Sequence, residues 1–197
     1  MNKYLAASQY IDCDHLSIKR KAKELSESYK NDEDITKACF LFVRDQIKHS
    51  NDYGLNPTTV KASEVLIHGT GWCYSKSHLL AALLRANKIP TGLCYQRLII
   101  ENATPPFCLH GLNAVYLKKY GWYRMDARGN KPGIEADFCP PREKLAFPIV
   151  MDGECDLPGI WSEPIPMVVE VLKKYKNYFE VFQNLPDIEL IKRFDLD

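Results

Sequence analysis

Three residue types that can together build a nucleophilic site lie where strands and a helix could gather them: Cys73, His110 and Asp126. Cys73 follows Gly69-Thr70-Gly71-Trp72 and opens the most strongly helical segment of the chain. The first turn of a helix carries unpaired N–H groups and the positive end of the macrodipole. Both favour a thiolate over a thiol, and the same N–H groups can hold a developing oxyanion. A thiolate nucleophile needs a base, and the base needs a group that orients it. Among the histidines, His110 starts a predicted strand after a Pro-rich loop, which gives it a rigid platform with an open mouth. His15 and His49 fall at predicted helix ends among charged residues and read as surface positions. His68 ends a short helix, and His78 is turned round its helix away from the thiol. Asp126 ends the strand expected to pair with that of His110, where a carboxylate can hold the imidazole in one tautomer. Singly, each has a plainer reading: Cys73 as a buried helix start, His110 as a structural histidine, Asp126 as a turn residue. Together they predict a thiol nucleophile with a histidine base and a carboxylate behind it.

The elements that must position these groups follow from periodicity. Residues 14–29 read as a helix with Asp14 as its cap. Residues 31–49 read as a stronger one: Asp32, Glu33 and Asp34 crowd its first turn, where the dipole favours negative charge, and Ile35, Ala38, Cys39, Phe42, Val43 and Ile47 recur at helical spacing. Residues 51–59 read as a loop. Residues 62–68 form a short helix stopped by Gly69-Thr70-Gly71. Residues 73–88 form a helix with Leu79, Leu80, Leu83 and Leu84 on its buried face, and Ile89-Pro90 stops it. The pattern then changes to strands at 91–100, 109–118 and 122–126, with a loop at 101–106 and a hairpin-like connection at Lys119-Tyr120-Gly121. Residues 130–166 are rich in Pro and Gly but carry Phe138, Phe147, Ile149, Met151 and Trp161. A disordered tail would not hold so many apolar residues. The segment is therefore expected to be ordered, either as a wall of the groove near Trp72 or over the back of the sheet. Residues 167–176 and 178–185 read as two further helices. Helices followed by an antiparallel run of strands make the fold class α+β, not alternating βαβ.

Composition excludes several other classes. The 197 residues carry 26 Lys and Arg against 25 Asp and Glu, a net charge of +1, so no long-range field points to nucleic acid or an acidic membrane. No apolar run approaches the ~18 residues of a membrane span, and the N-terminus does not read as a secretory signal, so the expected compartment is the cytoplasm. Seven cysteines, an odd number at irregular spacing, argue against a disulfide framework. Cys108 shares a strand face with His110 and reads as packing beside it, because zinc needs three or four ligands. No metal and no cofactor are expected, and nothing in the sequence decides an oligomeric state.

These segments also resemble a known family. Gly71-Trp72-Cys73, Ser77, Leu79 to Ala86 and Ile89-Pro90-Thr91-Gly92 resemble the cysteine motif of the transglutaminase-like, papain-like superfamily. His110, with Asn113-Ala114-Val115-Tyr116-Leu117, resembles its histidine strand, and Gly121-Trp122-Tyr123-Arg124-Met125-Asp126 its aspartate strand. The resemblance spans about residues 61–130, the expected catalytic core of a single domain over 1–197. It implies a papain/transglutaminase-like fold, with a nucleophile helix packed on an antiparallel β-sheet that supplies His and Asp. It implies acyl transfer through a Cys73 thioester on a peptide or amide substrate, with His110 carrying the proton and Asp126 orienting it. The Cys73 N–H and the Trp72 side chain become oxyanion or groove candidates. Water as acceptor gives a peptidase or amidase, the expected reading. An amine gives a transglutaminase, and a non-catalytic binding module is the further alternative. Two departures stand out: Gly111 and Leu112 replace an aromatic residue common after the histidine, and Lys88 replaces a glycine, so Lys88 must adopt a helix-terminating conformation.

Overall fold

From Cys73 to Arg85 every residue is buried. A helix enclosed on all sides needs partners on all sides, and the chain is arranged around that requirement. The computed structural model describes residues 1–100 and 106–188; the loop expected at 101–106 lies almost wholly outside them. In chain order the elements are α1 (Leu16–Ser26), α2 (Asp32–Leu41), β1 (Lys48–His49), α3 (Ser50–Tyr53), α4 (Ala62–His68), β2 (Thr70–Gly71) and α5 (Cys73–Ala86), the enclosed helix. Strands β3 (Thr91–Ile99), β4 (Phe107–Leu117), β5 (Gly121–Met125), β6 (Asp137–Cys139), β7 (Arg142–Lys144) and β8 (Cys155–Asp156) follow, then α6 (Pro166–Lys174) and α7 (Tyr178–Gln183). The order is α+β, as the patterning predicts.

The main sheet runs β5-β4-β3-β8, antiparallel throughout. Helices α1, α2 and α4 pack on α5 from one side, and β3 and β4 from the other. The opposite face of the sheet is also covered: Cys94, Leu112 and Ala114 are buried beneath Trp122, Leu145 and Ile160. Segment 130–166 supplies two of those covering residues and bridges Trp161 to Leu93 at the sheet. The buried polar groups of α5 tie it to its surroundings. Arg85 donates to the carbonyls of Thr91, Ala6 and Ser162 at 3.0, 2.8 and 2.6 Å, joining strand, N-terminal segment and covering segment. His78 Nδ1 bonds the Val60 carbonyl at 2.7 Å.

Three expectations need correction. The cap of α1 is His15, whose side chain accepts from the Ser17 N–H, and not Asp14. The helix expected over 31–49 ends at Leu41; a π-turn occupies Phe42–Gln46, and Lys48–His49 is a strand parallel to Thr70–Gly71. The cause is tertiary. Lys76, fully buried on α5, donates its Nζ to the carbonyls of Ile47 and Arg44. The Lys48 N–H goes to Gly69 O at 2.9 Å, so backbone groups that would have closed further helical turns are engaged elsewhere. Residues 51–59 are not wholly loop, because Ser50–Tyr53 makes one helical turn. Lys88 has φ +62°, the left-handed conformation that ends a helix, and it is the only such non-glycine residue among those described.

Candidate active site

The hairpin between β4 and β5 sets the relation of His110 to Asp126. Asn113 pairs with Met125. One more step places Asp126 across from Leu112, two residues from His110 and on the same face, because strand side chains alternate. His110 Nε2 and Asp126 Oδ2 are 2.7 Å apart, and both side chains are buried. Asp126 is held from two further directions: Oδ1 accepts the Arg128 N–H and Oδ2 the Ala146 N–H, each at 3.1 Å. Burial would raise its pKa, but the charge and hydrogen bond of His110 and those two N–H groups lower it instead. This fixed carboxylate in turn fixes the ring.

Cys73 is the first residue of α5 and sits in the hydrogen-bond environment of His110. With Nε2 committed to Asp126, Nδ1 is the ring nitrogen left for the sulfur. No side chain caps the helix and no acidic residue lies in its first turn, so its N–H groups and positive dipole end stay open. The Ser77 hydroxyl donates to the Cys73 carbonyl at 2.8 Å. Glycine at 111 brings helix and strand together: a Cβ there would lie 3.0 Å from Tyr74 Cδ1 and 3.1 Å from Tyr74 Cα. The Tyr74 hydroxyl, bonded to the Leu109 carbonyl, closes the same contact. Burial disfavours a charged His110, but the Asp126 carboxylate and the Cys73 sulfur outweigh it and push His110 up to about 10. The environment thus favours the imidazolium form of His110, set beside the Cys73 sulfur.

Cys73, His110 and Trp72 line one cavity of about 640 Å³, within the usual range for small-molecule and peptide sites. Trp72 is buried, and its Nε1 meets no acceptor among the described residues. Phe147 stands edge-on to the His110 ring at 4.9 Å, and Phe147, Pro148, Val150 and Ile134 form part of the cavity wall. Segment 130–166 therefore does both things expected as alternatives: one stretch walls the groove and another covers the sheet.

Sequence reasoning missed two groups here. His49 is not a surface residue. It is 5% exposed, pairs with Gly71 two residues before Cys73, and lies edge-on to Trp72 at 5.4 Å. Its position depends on the β1–β2 pairing, and Ile47 disguised it by continuing the helical period. Arg128, just past Asp126, also faces the cavity; a lone arginine beside a turn glycine carries no periodic signal. Cys108 lines the cavity beside the histidine strand, as expected. Among the described residues no group of three or more His, Cys, Asp or Glu is placed to hold a metal ion, and no helix is long and apolar enough to cross a membrane.

Residues 19–127 match the family model of the transglutaminase-like superfamily. No curated protein matches the chain. Among solved structures, a candidate cysteine protease from Cytophaga hutchinsonii superposes with a TM-score of 0.53 at 22% identity, over 64% of this chain and 40% of that one. The periplasmic domain of TgpA from Pseudomonas aeruginosa is similar with a TM-score of 0.47 at 18% identity, over 63% of this chain and 45% of that one. The chain thus spans less than half the length of either protein.

Proposed function

The chain belongs to the transglutaminase-like superfamily, and from the site built on that fold we propose that it is a cysteine hydrolase that cleaves an amide or peptide bond through a Cys73 thioester. The observation that carries this reading is the buried His110–Asp126 pair set against a cysteine at an open helix N-terminus. The Cys73 thiolate attacks the carbonyl carbon, and the C=O π pair moves onto oxygen. The Cys73 N–H and the Trp72 indole N–H are the donors available to that oxyanion. Collapse breaks the C–N bond, and His110 gives its proton to the departing amine. Water then attacks the thioester while His110 takes its proton, and the sulfur leaves as thiolate. Asp126 keeps the ring oriented and never needs to be protonated.

The test has two parts. Iodoacetamide at neutral pH should alkylate Cys73 far faster than the other cysteines, as read by peptide mass spectrometry. A mixed peptide library should be cleaved by the native protein and left intact by Cys73→Ala. Uniformly slow alkylation would sink the nucleophile assignment. Fast alkylation with no cleavage, but with incorporation of an added primary amine, would replace water by an amine as acceptor.

A further inference from the structure

The wall of the catalytic cavity beside His110 carries more positive charge than its packing explains. Arg128 and Lys131 both line that cavity. Arg128 grips Asp52 with two hydrogen bonds, Nη1 to Oδ2 at 2.7 Å and Nη2 to Oδ1 at 3.0 Å, and Lys131 Nζ approaches Oδ1 at 2.6 Å. Asp52 does not line this cavity. It lines a smaller one of about 120 Å³ on the other side, so the anion backs the wall and the two cations face the substrate space. Two positive charges against one leave the Arg128–Lys131–Asp52 cluster with an excess of one. Arg128 is 7% exposed and has one further bond, Nη1 to Gly129 O at 3.4 Å. Its Nε–H and one Nη2–H meet no acceptor among the described residues.

Other polar groups open to the cavity lie beside it. Trp72 is 4% exposed and lines the same cavity, and its indole N–H, the oxyanion donor named above, meets no acceptor among the described residues. His49, 5% exposed, lines both cavities; its Nδ1 has no hydrogen-bond partner among the described residues and stands 3.6 Å from Asp52 Oδ2. A buried polar group left without a partner is destabilising, so groups that open onto this cavity are completed by what binds in it. The position relative to the chemistry is set by Phe147. The Arg128 guanidinium lies over its ring at 5.6 Å, and the His110 imidazole meets the same ring at 4.9 Å. Among the described residues one acidic side chain lines this cavity, Glu154, and its orientation is fixed by the N–H groups of Ile99, Val150 and Met151, each donating to its carboxylate at 3.0 Å.

We propose that Arg128, supported by Lys131, forms a carboxylate-binding subsite that selects substrates with a free carboxylate close to the scissile amide. This rests on the hydrolytic reading above and names its substrate class. Asp52 acts as a positioning residue that holds the guanidinium flat against the wall. The carboxylate has two sources, the α-carboxylate of a chain end or the side chain of an Asp or Glu, and the rest of the cavity, walled by Leu98, Ile134 and Val150, suits an apolar neighbour.

The experiment compares three matched sets of N-acetyl peptides: free-acid peptides without acidic side chains, C-terminally amidated peptides containing Asp or Glu, and amidated peptides with neither. A charge-assisted contact of this kind predicts a kcat/KM about 10- to 100-fold higher for one of the carboxylate sets over the neutral set, and the favoured set identifies the source. Arg128→Gln should bring the ratio close to one. Lys131→Met, at a half-exposed position that leaves the Arg128–Asp52 pair intact, should lower it less. A ratio measured on one preparation does not depend on how much of a variant is folded. A ratio near one in the native protein, or one unchanged in both variants, overturns the proposal. A second arm needs no turnover: N-acetyl-leucyl-alanine should protect Cys73 from iodoacetamide better than its amide does, and Arg128→Gln should abolish the difference. If no peptide is cleaved but the acid still protects, the hydrolytic reading fails and the carboxylate subsite stands. If neither this acid nor an amidated N-acetyl peptide carrying Asp or Glu protects better than its neutral match, the subsite fails.

Discussion

At the scale of single residues, the chemistry depends on how the His110 charge is held. Burial works against the imidazolium, and Asp126 together with the Cys73 sulfur more than restores it, bringing the ring up to about 10. Replacing Asp126 with Asn keeps the shape and removes the charge. The His110 pKa should then fall, and the alkaline limb of the pH dependence of Cys73 alkylation should move to lower pH. The hydrolytic rate should drop on the order of 10²- to 10⁴-fold, as when other triads lose their carboxylate. An alkylation profile that does not move would show that the carboxylate is not what holds the ring charged. Lys76 presents the opposite case. Burial, with Arg128 adding to it, lowers its pKa to about 7 against attraction from Asp126, Asp45 and Asp52. Its contribution to stability is full above its unfolded value near 10.5 and is lost as pH falls through about 7. That of His110 is full below 6.5 and is lost as pH rises through about 10. Between pH 7 and 10 the two slopes oppose each other. Thermal unfolding of the native protein should therefore vary little over that window, whereas Lys76→Met should lose Tm steadily as pH rises. A parallel offset between the two curves would refute the lysine's part in this.

At the scale of elements, the site depends on the close approach of the α5 N-terminus to β4. Gly111 permits that approach, since a Cβ there would press on the Tyr74 backbone at 3.1 Å, an atom that cannot swing aside. Gly111→Ala should push the first turn of α5 away from the strand and separate Cys73 from His110. A misplacement of about 1 Å can cost on the order of 100-fold in rate, while overpacking of this kind costs about 1–3 kcal/mol of stability. We expect a folded protein by circular dichroism, with slowed Cys73 alkylation and little hydrolysis. Unchanged alkylation would mean the contact does not set the catalytic distance. The buried face of α5 behaves differently: Leu83 is fully buried, so Leu83→Ala should cost about 2–5 kcal/mol in denaturant unfolding without selectively slowing alkylation of the folded fraction.

At the scale of the whole molecule, the segments after the sheet close the site. The Ala146 N–H holds Asp126, Phe147 covers the His110 ring, β8 extends the sheet beside β3, and Trp161 pairs with Leu93. Further on, Pro186 O accepts the Leu109 N–H at 2.8 Å, and Asp187 takes two hydrogen bonds from Arg97 at 2.7 and 2.8 Å. With so many anchors, residues 130–166 should resist limited proteolysis both before and after Cys73 is alkylated. Rapid cleavage in either state would contradict an ordered wall.

Local rules account for much of this molecule. The helix starting at Cys73, the stop before Pro90, the three strands and the turn at Lys119-Tyr120-Gly121 all leave a periodic or turn-residue trace in the sequence. Once that turn is placed, alternation alone puts His110 and Asp126 on one face, so the pair was legible before any coordinates. The left-handed Lys88 followed instead from the family resemblance, which has a glycine at that position. What escaped depends on partners far apart in the chain. The helix after Asn31 stops early because Lys76, on another helix, binds the carbonyls of Arg44 and Ile47. His49 enters the site because β1 pairs with β2, and Arg128 faces the cavity because Asp52 holds it from behind. Periodicity records which face of an element is apolar, and it carries no record of which distant backbone or charge that face will meet, so the proposed catalytic residues could be read from the sequence while the cationic wall beside them was set only by tertiary packing.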